Sequence, residues 1–371
     1  MKSIKDIKNL TGKRVLVRVD FNVPIKDGKV VDDFRIKKAI PTILFLQKKG
    51  AKVILISHLG SKDTMKPVAD RLKKYIPKVI FLSEKILSDK VENTVNALKN
   101  SEVILLENLR SEDDEEKNSP SFARALSRYG QIYVNDAFSV CHRKHASVVG
   151  ITKYLEGYAG FQLEEEVKHL SKAFNPAHPF LFILGGAKFD TKIPLIKKFA
   201  HSADTMFVGG ALANDFFKYK GYEVGVSLVD KGNPEIKSLL KYKNLVIPCD
   251  VETNKGKVNR FVKPNDVLPD ENIVDVGPET IKKLEELISK AKFILWNGPL
   301  GKYEFGFGGA TEKVLKLVAK SSAESIIGGG DTVAIISKLK IEDKFSFVST
   351  GGGATLEFLA SGTLPGIKAL K

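Results

Sequence analysis

The feature that most constrains this chain is a repeated alternation of short apolar, β-branched runs with segments of helical period. The runs fall at 14–23, 52–58, 79–82, 102–109 and 131–138, then at 180–185, 205–209, 245–251, 292–297, 325–328 and 345–350. Helical periods occupy 36–49, 67–75, 120–129, 280–291, 311–319 and 332–339. Strands that alternate with helices build mostly parallel sheets flanked by helices, an α/β architecture. About eleven strands exceed what one open sheet normally holds, so two doubly wound domains are expected. The boundary is expected at 157–172, where Gly157 and Gly160 interrupt the pattern and FQLEEEV, from Phe161 to Val167, opens a new helix.

Composition narrows the functional classes. The 371 residues are 43% hydrophobic and 28% charged, enough to bury real cores. The net charge is +15, and most of the excess lies in the first 160 residues. Such a balance admits nucleic acid, an acidic membrane surface, an anionic metabolite, or simply a lysine-rich solvated surface. The longest apolar runs, such as 179–184, fall far short of the ~20 residues of a membrane span. The opening MKSIKDIKNL is charged throughout and has no apolar signal region. Cys141 and Cys249 lie far apart without metal-ligand spacing, which points to a reduced, cytoplasmic setting. His142 and His145 lack a Cys or carboxylate at ligand spacing, so they do not read as a metal pair. The acidic cluster from Glu112 to Glu116 reads as a solvated loop or helix start.

Doubly wound folds place ligands beyond the carboxyl ends of their strands, so the residues after each run carry the chemistry. In the first half these ends supply cations and hydrogen-bond partners. They are Arg18-Val-Asp20-Phe21-Asn22, then Arg35 in the following helix, Ser57-His58-Leu59-Gly60, Glu107-Asn108-Leu109-Arg110 and, beyond Asp136, Arg143. Arginine's planar fork donates two parallel hydrogen bonds, which suits a carboxylate or phosphate. In the second half the ends are rich in glycine: Gly185-Gly186-Ala-Lys188, Gly209-Gly210, Trp296-Asn297-Gly298, Gly328-Gly329-Gly330-Asp331-Thr332 and Gly351-Gly352-Gly353. Glycine lets backbone N–H groups approach phosphate oxygens, and a helix N-terminus favours negative charge. No G-x-x-x-x-G-K-[ST] is present, no G-x-G-x-x-G follows the first run, and no G-x-S-x-G occurs. An anion-binding half facing a nucleotide-phosphate half suits phosphoryl transfer, where catalysis is positioning and charge stabilisation.

In order along nearly the whole chain, RVDFNVP, ENLR, DAF with HRKHAS, GGAK, WNGPLGKYE, GGGDT and STGGGAT resemble the phosphoglycerate kinase family. The resemblance implies two Rossmann-like domains joined by a hinge helix. The first, 1–160, would bind 3-phosphoglycerate and receive the C-terminal tail, 355–371; the second, 161–354, would bind the nucleotide. The acid site would comprise Asp20, Phe21, Asn22, Arg35, His58, Leu59, Gly60, Ser61, Arg110 and Arg143. The nucleotide site would comprise Lys188, Lys192, Gly210, Asn297, Glu304, Gly329, Gly330, Asp331 and Thr332, with Glu304 at the ribose and Asp331 near the metal of a Mg²⁺-nucleotide.

The same resemblance gives Arg35, Lys192 and the amides of Gly351, Gly352 and Gly353 the catalytic role of shielding the phosphoryl group in flight. It implies closure of the domains over both reactants, small-molecule partners (phosphoglycerates and ADP/ATP) without nucleic acid or membrane, and a monomer. The chain departs from the family at Ser61, where arginine is usual, with Lys62 beside it as a substitute point charge. It departs also at Gln162 and Glu165 in the hinge helix and at Ser111 after ENLR. The rival readings are a dehydrogenase, which lacks its dinucleotide fingerprint here, and a nucleic-acid binder, which would interleave aromatics among its basic segments.

Overall fold

The computed structural model describes residues 1–230 and 235–370. The chain divides into two compact units: Met1–Lys168 with the segment from Ser361 onward, and His169–Ala360.

The first unit is built on six strands: β1 (Arg14–Arg18), β2 (Lys52–Ile56), β3 (Ile80–Phe81), β4 (Val103–Leu105), β5 (Ile132–Asn135) and β6 (Gly157–Ala159). Their order is β3-β4-β2-β1-β5-β6, and every pairing is parallel. Val15, Leu16 and Val17 of β1 and Val53 to Ile56 of β2 are fully buried. Helices on both faces explain why these strands read as continuous apolar runs instead of alternating ones. Helix α1 (Phe34–Lys48) buries Ile36, Ala39, Ile43 and Leu46, one face at helical spacing. From β1 the chain winds one way and from β5 the other, so a crevice opens beyond the carboxyl ends of those two strands.

Two details differ from the sequence expectation. Gly157, expected to break the pattern, begins β6. A Cβ there would sit 2.7 Å from the Leu370 side chain, so the glycine admits the C-terminal segment. Gly366 N–H donates to the Cys141 carbonyl at 2.8 Å. Within the expected tail, residues from Ser361 fold with the first unit, whereas those just before belong to a helix of the second. Lys371 lies outside the described residues.

Helix α2 (Phe161–Ser171) carries the chain from one unit into the other. Its first N–H groups would be orphans without a cap. Asp136 Oδ1 accepts from Gln162 N at 2.8 Å and Leu163 N at 3.4 Å, and Thr42 Oγ1 accepts from Phe161 N at 2.9 Å.

The second unit holds β7 (Phe180–Leu184), β8 (Thr205–Val208), β9 (Leu245–Val246), β10 (Val251–Lys255), β11 (Val258–Val262), β12 (Asn272–Val276), β13 (Phe293–Asn297), β14 (Glu324–Gly328) and β15 (Phe347–Val348). Six of them form a parallel sheet in the order β9-β8-β7-β13-β14-β15. The winding direction changes between β7 and β13. The other three form a small antiparallel sheet, β11-β10-β12, that sequence reading missed. The run expected at 245–251 divides into β9 and β10. Pro248 falls between them and has no N–H for a ladder.

Candidate functional site

In the first unit, the residues after β1, β2 and β4 form a connected hydrogen-bond system. Asp20 is buried and pairs with Arg35 Nη1 at 3.0 Å, while Ser139 Oγ donates to its Oδ2 at 2.6 Å. Burial alone would raise the Asp20 pKa, but Arg35 and the hydrogen bonds from Ser139 and Asn22 hold it below the usual carboxylate range. Asp20 is therefore ionised and fixes the guanidinium of Arg35, which also donates to the Asn22 carbonyl at 3.2 Å. Asn22 Oδ1 in turn accepts from Gly60 N at 3.0 Å.

His58 is buried at the end of β2. Arg18 Nη2 lies 3.0 Å from its Nδ1. Burial first, and then Arg18, Arg110 and Arg143, push the imidazole down to about 2, so His58 is neutral at physiological pH. Phe21 is buried and donates its N–H to Ser57 Oγ, while Leu59 exchanges backbone hydrogen bonds with the Asn108 amide. Arg110 donates to the Gly60 carbonyl and pairs with Glu116 at 3.0 Å. Arg143 reaches the same Glu116 oxygen at 3.9 Å. Ser61, Lys62 and Arg110 line an adjoining cavity of about 460 Å³, where Lys62 pairs with exposed Asp113 at 2.9 Å.

The burial of two residues here was not anticipated from the sequence: Arg18, named there only as part of a strand end, and Glu115. Arg18 is almost wholly buried, and its Nε donates to Ser147 Oγ at 3.0 Å. Glu115, expected to be part of a solvated acidic cluster, is buried and accepts hydrogen bonds from Ser147 N and Ser147 Oγ. The reason is charge: a guanidinium removed from water needs a counter-charge nearby.

In the second unit the glycine-rich strand ends gather at the winding reversal. Gly298 has φ +92°, and a Cβ there would lie 2.5 Å from the Gly185 carbonyl oxygen. At Gly210, with φ +63°, a Cβ would lie 2.7 Å from Gly186 N. The chain segments after β7, β8 and β13 thus approach more closely than any side chain permits.

They frame a cavity of about 580 Å³. Its wall contains Lys188, Lys192, Gly210, Asn297, Glu304, Gly329, Gly330 and Asp331, together with Gly352 and Gly353. Thr332 is buried in the first turn of α4 (Gly330–Leu339), and no partner for its Oγ1 is found among the described residues. Gly351 is buried and its N–H is already used, donating to Ser349 Oγ at 3.1 Å. Gly353 opens the helix Gly353–Ser361. Apolar Phe217, Leu228, Pro248 and Leu300 also line the cavity, and of these only Leu300, within WNGPLGKYE, falls in a motif.

Lys192 is the strongest electrostatic feature of this cavity. It precedes helix α3 (Ile193–Phe199), is only 5% exposed, and donates from Nζ to Asn297 Oδ1. Desolvation lowers its pKa to about 8, with Asp331 opposing the shift. Asn297 Nδ2 is buried, with no partner among the described residues. A buried cation, an unsatisfied amide donor and two helix N-termini around one cavity make a site for a multiply charged anion. The apolar wall beside them matches the flat, apolar part of a nucleotide.

The phosphoglycerate kinase family model matches residues 4–362. The chain is 42% identical over 391 residues to phosphoglycerate kinase of Dictyoglomus turgidum, covering all of this chain and 99% of that one. It is 41% identical over 390 residues to the Borrelia turicatae enzyme of the same name, covering both chains fully. The fold superposes on phosphoglycerate kinase from Pyrococcus horikoshii with a TM-score of 0.89 at 31% identity, covering 100% and 98% of the two chains. For the Coxiella burnetii structure the TM-score is 0.83 at 36% identity, covering 99% and 98%. These matches favour neither the dehydrogenase nor the nucleic-acid reading.

Proposed function

The chain belongs to the phosphoglycerate kinase family, kinases that transfer a phosphoryl group reversibly between 1,3-bisphosphoglycerate and ADP, and from that premise we propose how its residues divide the work. The first unit binds the three-carbon acid through Asp20, Phe21, Asn22, Arg35, His58, Leu59, Gly60, Ser61, Arg110 and Arg143. The second binds the nucleotide through Lys188, Lys192, Gly210, Asn297, Glu304, Gly329, Gly330, Asp331 and Thr332. The observation that carries this division is the contrast between the two strand-end clusters. One presents guanidinium groups and a neutral histidine. The other presents a glycine-framed cavity with one buried ammonium.

The acceptor in the ATP-consuming direction is a carboxylate with a reference pKa of roughly 3.5, so no general base is required. The catalytic task is to hold two polyanions and to neutralise the oxygens of the moving group. Arg35, pre-aligned by Asp20 and the Asn22 carbonyl, supplies one positive charge. Lys192, oriented by Asn297, supplies another. Gly352 and Gly353 contribute N–H groups from the cavity wall, and Gly351 joins them on releasing Ser349 Oγ.

Magnesium fits this arrangement as a partner of the nucleotide. Asp331 stands exposed in the first turn of α4, and its charge is felt at Lys192. Among the described residues no three His, Cys, Asp or Glu side chains gather into a cage. A single carboxylate suits a hard cation that keeps its waters and is held mainly by phosphate oxygens. Bound there, Mg²⁺ would neutralise phosphate charge. We further propose that the protein acts as a cytoplasmic monomer. Cys141 and Cys249 are both free, which suits a reducing compartment.

The test is a coupled assay for ATP formation from 1,3-bisphosphoglycerate and ADP. Turnover that depends on Mg²⁺ supports the proposal. Absence of ATP formation with folded protein rejects it.

A further inference from the structure

Behind His58 in the acid site lies a buried chain of polar groups: Glu115, Ser147 and Arg18. Ser147 Oγ donates its proton to Glu115 Oε1 and accepts from Arg18 Nε at 3.0 Å. Ser147 N–H donates to Glu115 Oε2 at 2.9 Å. Arg18 Nη1 is held by the Val19 carbonyl at 2.6 Å, and Nη2 points at His58 Nδ1 at 3.0 Å. Tyr133, also fully buried, fixes the backbone of the same serine by donating from its hydroxyl to the Ser147 carbonyl at 2.6 Å. Arg18, Ser147 and Glu115 come from three separate segments, and all three are buried.

A guanidinium carries five donors and no acceptor. The contact with Arg18 therefore requires a lone pair on His58 Nδ1, and the single proton of the neutral ring must sit on Nε2. We infer that Glu115 and Ser147 are positioning residues: they lock Arg18, and Arg18 locks His58 as a neutral Nε2–H donor for the substrate. This deepens the acid-site reading and rests on it.

The charges facing His58 agree. Arg18, Arg110 and Arg143 disfavour a second proton on the ring, while Asp20 alone favours it. Glu115 faces Arg18, Glu116 and Ser147, and lies 3.9 Å from His145 Nδ1. His145 is itself held down to about 4 by burial, ahead of Arg143. Burial raises the Glu115 carboxyl above its usual range, opposed by Arg18 and the two Ser147 hydrogen bonds, and in its ionised form it balances the buried Arg18 without either histidine charging. The advantage is constancy: an unrestrained histidine would switch charge near pH 6.5, within the working range of a metabolic enzyme.

The experiment is ¹⁵N–¹H correlation spectroscopy of the imidazole rings in the full-length wild-type protein, with His58 identified by loss of its signals in His58→Gln. The expected pattern is a protonated Nε2 and bare Nδ1, unchanged between about pH 5 and 8. An Nδ1–H tautomer, or titration of His58 near 6.5, overturns the inference. Adding 3-phosphoglycerate shifts the His58 signals if the acid site is correctly placed. Unshifted signals with the expected tautomer would reject that placement and leave the inference standing.

Ser147→Ala supplies the second reading. His58 should then titrate, the KM for 3-phosphoglycerate should rise about tenfold and become pH-dependent, and the KM for ATP should not move. Ser147→Thr, which keeps the hydroxyl, should restore the tautomer. An unchanged His58 spectrum and KM in a folded Ser147→Ala protein overturn the inference. Should that variant fail to fold, the wild-type spectrum decides alone.

Discussion

Replacing Lys192 with methionine should stabilise the protein while disabling it. The ammonium is 5% exposed, and burial lowers its pKa from the ordinary 10.5 of a lysine to about 8. Each pKa unit corresponds to about 1.4 kcal/mol of differential interaction, so the charged form costs the fold about 3 kcal/mol at neutral pH. The sign follows from proton counting. Below pH 8 both folded and unfolded states carry the proton, and the whole penalty is present. Between pH 8 and 10.5 the unfolded chain binds more protons, so wild-type stability rises and the penalty fades. Methionine matches the stem in volume and needs no solvation. Guanidinium unfolding at pH 7 should show Lys192→Met more stable by about 2–3 kcal/mol, the gain shrinking above pH 8. Steady-state assays should show kcat lowered by about 2–4 kcal/mol in transition-state terms, the scale of one preorganised donor. A variant that is no more stable than wild type refutes the claim that this cation is stored against a cost. A variant with near-normal kcat refutes its catalytic role.

Three further outcomes are expected. Nucleotide phosphates should return the Lys192 proton, so calorimetry near pH 9 in buffers of different ionisation enthalpy should show proton uptake on ADP binding, and no uptake in Lys192→Met. Arg35→Ala should cost about 2–4 kcal/mol in kcat/KM without altering ADP binding, as read from steady-state kinetics and ADP titration. Lys62→Ala should raise the KM for 3-phosphoglycerate only about two- to fivefold and reduce its salt dependence, because Lys62 shares its charge with Asp113 in open solvent.

Much of the architecture was legible because buried parallel strands announce themselves as uninterrupted apolar runs. Val53 to Ile56 and Phe180 to Leu184 are examples that the structure places inside the two sheets. The small antiparallel sheet was not legible. VETNK and VNRFV are half-exposed and polar, and their pairing depends on a turn at Gly256 with φ +62°. β6 was hidden for a related reason: Gly157 reads as a break, and its purpose is visible only once Leu370 is packed beside it.

The site divides the same way. Asp20, His58, Arg110, Asn297 and Asp331 stand at strand ends or the helix starts that follow, so the winding rule points to them. Arg18 closes β1 and Glu115 lies inside a run of acids, and nothing local marks either as buried. Only tertiary contact through Ser147 joins them. The apolar wall at Phe217, Leu228, Pro248 and Leu300 draws single residues from distant segments, and only Leu300 lies within a motif.

The central claim is a division of labour: guanidinium groups at one set of strand ends hold the acid, and a glycine-framed cavity with one buried ammonium holds the nucleotide. Calorimetric titration of 3-phosphoglycerate and of ADP into Arg35→Ala and Lys192→Met tests it in a single set of four measurements. The account predicts a crossed pattern, in which Arg35→Ala weakens only the acid and Lys192→Met weakens only ADP. Equal weakening of both ligands by either variant would contradict it.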